Sequence, residues 1–171
     1  PQTSEAETNI MKKLIGSSLA VIALALSVNA TVVLNEPFTY SDGTLTSVSS
    51  GAWFAHSGAG SGPVQVSGKK IILNTANAED VSRALNPGTV YSNQTLYGSF
   101  TINFSALPAQ NTYFAHLSKD ATTFRAKLFS TISNSTAGFF RLGIANSANT
   151  PIVIGSDLSL NTDYKLVFRV I

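Results

Sequence analysis

Apolar and polar residues alternate most regularly in the stretch 96–104, where Phe100, Ile102 and Phe104 are separated by Thr101 and Asn103. A period of two places the two sets on opposite faces of an extended chain, so this stretch predicts a strand with one buried and one wet face. Residues 112–118 and 123–129 carry two further strand-like runs, separated by the turn residues Lys119 and Asp120. Within the second, Phe124, Ala126 and Leu128 alternate with Arg125 and Lys127. Residues 139–145, 151–154 and 164–170 continue the series, with polar turns between them. The inward set expected from this meander is Phe100, Ile102, Phe104, Phe124 and Leu128. Short strands at turn-punctuated intervals, with no amphipathic helix among them, argue for an all-β sandwich or barrel.

The preceding residues fit the same picture less regularly. A β-branched run at 31–34 predicts a strand that Glu36-Pro37 breaks, and Asp42-Gly43 supplies the positive φ of a tight turn. Residues 47–62 are rich in Ser, Gly and Ala around Trp53-Phe54-Ala55-His56, which reads as a long surface loop with an aromatic anchor. Its end, Ser57-Gly58-Ala59-Gly60-Ser61-Gly62, reads as flexible. Val64-Gln65-Val66, the turn Ser67-Gly68 and residues 69–73 predict a β-hairpin. Residues 74–87 are consistent with either a helical turn or a strand.

The N-terminal pattern is of another kind. Lys12-Lys13 precedes an apolar run at 14–27 and the small residues Val28-Asn29-Ala30, the three parts of a secretory signal peptide. A membrane span would need about 20 apolar residues, and this run is shorter and contains Gly16, Ser17 and Ser18. The expectation is an upstream extension at 1–10 that is not native, a signal peptide at 11–30 with its helix around Leu14 to Leu26 and cleavage near Ala30, and a mature domain at 31–171. Membrane contact would then be limited to the transient signal. Because Ile171 falls inside the last predicted strand, the domain at 31–171 is expected to be incomplete, with an under-paired edge at 166–171.

Composition narrows the function classes. Only 12% of the 171 residues are charged and the net charge is +2, with Lys and Arg scattered, so no basic stripe for nucleic acid is present. There are no cysteines, which removes disulfides, thiolate metal sites and thiol catalysis.

Several segments resemble one family. Residues Asn35-Glu36-Pro37-Phe38-Thr39-Tyr40-Ser41-Asp42-Gly43 look like the opening of concanavalin A-like (LamG-like) jelly-roll modules of large secreted bacterial proteins. Trp53-Phe54-Ala55-His56-Ser57-Gly58, Val64-Gln65-Val66-Ser67-Gly68, Glu79-Asp80-Val81-Ser82-Arg83-Ala84-Leu85, residues 139–146 and residues 158–169 continue the likeness. The resemblance implies a concanavalin A-like jelly-roll β-sandwich of two antiparallel sheets with a concave face, and further strands and domains in the same polypeptide. It also implies a secreted or cell-surface setting.

That superfamily holds lectins, glycosidases and spacers, so the chemistry must come from residues. Glycoside hydrolysis needs two carboxylates flanking the bond. Among Glu36, Asp42, Glu79, Asp80, Asp120, Asp157 and Asp163 no two are spaced i, i+2, and Glu79 and Asp80 would face opposite sides of a strand. No Gly-x-Ser-x-Gly elbow is present. His56 and His116 each end an aromatic-Phe-Ala-His tetrapeptide, but a pair lacks the third ligand of a zinc site, and rim histidines bonded to a loop are the plainer reading. Calcium needs six to eight oxygens, and without an Asp-rich cluster Asp42 is the first candidate ligand. Sugar binding remains. Trp53 is the candidate platform, with Tyr91, Tyr97 and Tyr113 behind it and His116, Arg125, Lys127 and Arg141 as polar contacts. Arg125, Lys127 and Arg141 fall on polar positions of adjacent strands and are expected on one sheet face. Against this, Trp53 reads more simply as a core anchor, and the basic residues as a solvated face. The expected function is a non-catalytic lectin-like module contacting an extracellular glycan or cell-surface polymer. The alternatives are a polysaccharide hydrolase or lyase fragment lacking its catalytic strand, and a structural spacer.

Overall fold

The computed structural model describes residues 30–108, 111–120, 122–147 and 150–171. The expected signal helix lies outside the described residues.

The described chain is nearly all-β. Its elements are β1 (Gly43–Thr44), one short helix α1 (Leu45–Val48), β2 (Phe54–Ser57), β3 (Gln65–Ser67), β4 (Lys70–Ile72) and β5 (Asp80–Ser82). There follow β6 (Leu96–Ile102), β7 (Thr112–Ser118), β8 (Phe124–Thr131), β9 (Phe139–Ala145), β10 (Ile152–Val153), β11 (Leu158–Ser159) and β12 (Tyr164–Val170). The expected strand at 31–34 does not form; among the described residues no ladder partner meets it, and Val32 is exposed.

Among the described residues all pairings are antiparallel. The central sheet runs β10-β9-β8-β7, and β11 joins the same edge of β9 as β10. Strands β12 and β6 pair over seven residues, from Tyr164↔Ile102 to Val170↔Leu96, and among the described residues β12 has no other ladder partner. Strands β1, β3 and β4 form a third sheet, and β2 and β5 a fourth. The β3–β4 hairpin closes through Gly68 and Lys69, both at positive φ (55° and 61°), the two-residue turn whose twist matches its strands.

Two apolar centres hold these layers. The first has Leu45, Val64 and Val66 at 0–2% exposure, with Phe38, Tyr40, Trp53, Ile71 and Val81 packed around them. The second lies between the β6–β12 pair and the central sheet. Its centre is Ile102, Phe140 and Leu142, with Phe100, Phe104, Phe114 and Leu166 against it. The Phe104 ring lies 4.7 Å from Phe140 and 5.6 Å from Phe114, so this face-to-face packing is largely aromatic. Ile102 and Leu128 are buried as the alternation requires, and Phe100 and Phe104 are half-buried. Phe124 departs from the expectation: its ring packs on His116 rather than in either apolar centre.

The departure has a cause. Pairing of β7 with β8 slips twice, between Tyr113 and Ala115 and between Ala115 and Leu117. Ala126, opposite the second slip, has φ 44°, a left-handed backbone rare for a residue with a Cβ. Bulges of this kind re-aim side chains. In a regular strand Phe114 and His116 would share a face, yet Phe114 enters the aromatic core while His116 lies beside Tyr113.

The Ser57–Gly62 segment, expected to be flexible, is instead bonded along its length. Ala78 N–H donates to Ser61 O (3.1 Å), and Asn77 Nδ2 donates to Gly62 O (2.9 Å) and Pro63 O (3.2 Å). The buried Glu79 carboxylate accepts from Gly60 N (3.3 Å) and Val64 N (3.1 Å).

Candidate functional site

The residues proposed from sequence separate into two groups. Trp53 is an anchor: its indole Nε1 donates to Glu36 Oε2 (2.9 Å), and its ring stacks 5.7 Å from Phe38. The same carboxylate accepts from Phe38 N (2.8 Å), the Tyr40 hydroxyl (2.8 Å) and the Arg83 guanidinium, which ties three distant stretches together. Burial alone would raise the Glu36 carboxyl pKa. The bonds from Trp53, Phe38 and Tyr40 and the charge of Arg83 outweigh it, and the net shift is downward. Asp42 accepts from Gly68 N (2.9 Å) and Ser67 Oγ (3.3 Å), so it holds the β3–β4 turn. Arg141 Nε donates to Asp157 Oδ1 at 2.6 Å. Arg125 donates to the Phe124 carbonyl (3.0 Å).

Lys127 and Arg141 do share a sheet face, since their cross-strand partners are Ala145 and Thr131 on the β8–β9 ladder, but they lie at opposite ends of it. The two are four ladder positions apart, about 13 Å along the strand.

His116 and Lys127 belong to the second group, which the fold assembles from four strands. His56 on β2 and His116 on β7 meet edge to face, with ring centroids 5.7 Å apart. Phe124 packs 4.6 Å from His116, and Tyr113 lies 6.0 Å from it. The Lys127 ammonium sits 4.5 Å from the Tyr113 ring centroid and 5.2 Å from that of Phe124, within cation–π range. On β5, Ser82 Oγ lies 2.8 Å from His56 Nδ1, and Asp80 Oδ2 accepts from Ser57 Oγ at 3.0 Å.

Electrostatics follow from this crowding. Burial pushes the His116 pKa down, neighbouring His56 and Lys127 add to the effect, and Asp80 opposes it. Burial raises the Tyr113 hydroxyl, and Asp80 adds to the rise. Tyr113 itself remains 37% exposed, so the cluster reaches solvent. Among the described residues no group of three or more His, Cys, Asp or Glu side chains is arranged to hold a metal ion.

The repeated tetrapeptide Trp53-Phe54-Ala55-His56 and Tyr113-Phe114-Ala115-His116 was the one sequence signal for this cluster. Asp80 and Ser82 carried none, because their place depends on how β5 pairs with β2. A separate open depression of about 500 Å³ is lined by Leu34, Phe54, Arg83, Leu85 and Pro87 among others, and includes none of the expected sugar contacts.

No family model matches this chain, and no curated protein or solved structure matches it either.

Proposed function

We propose that the chain is a concanavalin A-like jelly-roll module of an exported protein, and that it contacts an extracellular glycan or cell-surface polymer without catalysis. The observation that supports this is the Tyr113 cluster: an exposed ring with the Lys127 ammonium over it and His116 beside it. Sugar faces stack on aromatic rings while their hydroxyls need donors and acceptors at the ring edge. The acidic residues lend support to a non-catalytic role. Glu36, Asp42, Glu79, Asp120 and Asp157 each accept hydrogen bonds from backbone or side-chain groups that fasten turns and loops. Export rests on the signal pattern at 11–30.

A glycan array probed with wild type and Tyr113→Ala tests the reading. The expected outcome is binding that weakens about tenfold or more in the variant, the loss of roughly 1.4 kcal/mol of ring contact. An array on which the wild type binds nothing would leave the spacer reading in its place.

A further inference from the structure

Two imidazoles from different sheets meet at one point, His56 on β2 and His116 on β7, and the contact suits neutral rings. Two imidazolium ions at 5.7 Å would repel one another, and half-burial limits what water can screen. Of the groups that face His116 among the described residues, the His56 ring from β2 and the Lys127 ammonium from β8 make further charge harder to accept, the Asp80 carboxylate from β5 opposes them, and the Tyr113 phenol lies beside it on its own strand. Asp80 already accepts from Ser57, and the Phe124 ring covers His116 at 4.6 Å.

We propose that the His56–His116 pair is a pH-sensitive clasp, which holds β2 and β5 against the β7–β8 hairpin at neutral pH and lets them go in mild acid. The clasp stands on this side-chain geometry whether or not Tyr113 meets a sugar. Its sign follows from the surroundings: burial, His56 and Lys127 hold the folded His116 pKa below that of the unfolded chain. A group depressed in this way is taken up in protonated form by the open chain first. The contact is therefore at full strength above about pH 6.5 and weakens as the pH falls from there toward the folded value. The chain has two histidines, and this one contact holds both.

Amide hydrogen exchange of the full chain at pH 7.5 and 5.5, corrected for the intrinsic pH effect, reads the clasp directly. Protection of β2 and β5 is expected to fall about tenfold more than that of β6 and β12, and His116→Gln should abolish the difference. Equal changes in both sets of strands, or a difference that persists in His116→Gln, would overturn the proposal. Lys127→Gln gives a second reading that does not depend on how the first variant folds. With one cation removed, the His116 titration followed by NMR should shift to higher pH and the exchange difference should shrink. An unmoved titration would count against the clasp.

Discussion

Glu36 shows how much one side chain organises. Its two oxygens take hydrogen bonds from a neighbouring amide, a phenol, an indole and a guanidinium, and its side chain is 9% exposed. Arg83 also donates to the Tyr40 hydroxyl at 2.9 Å, so the charge is shared through a small network. Removing one partner leaves the others with unmet donors, which costs more than the net worth of the bonds themselves. Glu36→Gln keeps the volume but loses the charge and half the acceptor capacity. It is expected to destabilise the domain by about 2 kcal/mol in urea unfolding, and a change within about 0.5 kcal/mol would deny the network this role.

At the scale of elements, the 57–64 segment and the β7–β8 hairpin make opposite uses of unusual backbone. Gly58 and Gly62 have φ of 61° and 57°, and a Cβ on either would stand 2.0 Å from a carbonyl oxygen, Ala78 O and Ala76 O respectively. The loop therefore lies close against residues 76–79 because those two positions lack side chains. Gly60, at φ 77°, has nothing within 4 Å of the same point. Gly58→Ala and Gly62→Ala should each cost about 3 kcal/mol of stability, against about 1 kcal/mol for Gly60→Ala, as measured by chemical denaturation. Equal costs at all three positions would show that backbone strain alone matters and the close approach does not. In the hairpin, by contrast, a residue with a Cβ, Ala126, takes the left-handed conformation, and the resulting slip turns His116 out of the aromatic core.

For the whole molecule, acid acts in a second window below that proposed for His116. Asp120 is held at about 2 by the Thr122 amide first and by Thr123 next, where it closes the β7–β8 turn. Asp157 is held at about 2 by Thr136 and then by Arg141, joining the start of β9 to the residue before β11. Folded values below the unfolded ones near 3.9 mean that stability is complete above that pH and is lost as pH falls toward 2. The urea midpoint should therefore decline from pH 5 to pH 2, and Asp157→Asn should flatten part of that decline. A midpoint that holds steady across this range in the wild type would contradict the assignment.

How far the sequence could be read follows from what each feature depends on. The alternation at Phe100, Ile102 and Phe104 located β6 and its inward face, since side-chain direction in a regular strand is a local property. The hairpin around Gly68 was legible for the same reason: its turn residues set its geometry. Residues 31–34 had strand-like composition and no partner among the described residues, and a strand exists only where another chain segment completes its hydrogen bonds. Phe124 was misplaced by simple alternation because two register slips intervene. What the sequence by itself determined was an all-β chain, its principal strands and much of their buried face, all consequences of period-two patterning and turn chemistry. Tertiary structure alone decided that Trp53 would bind Glu36, and that His56, Asp80, Tyr113, His116 and Lys127 would meet. Those contacts join residues far apart along the chain, and only sheet pairing, bulges and packing bring them within reach.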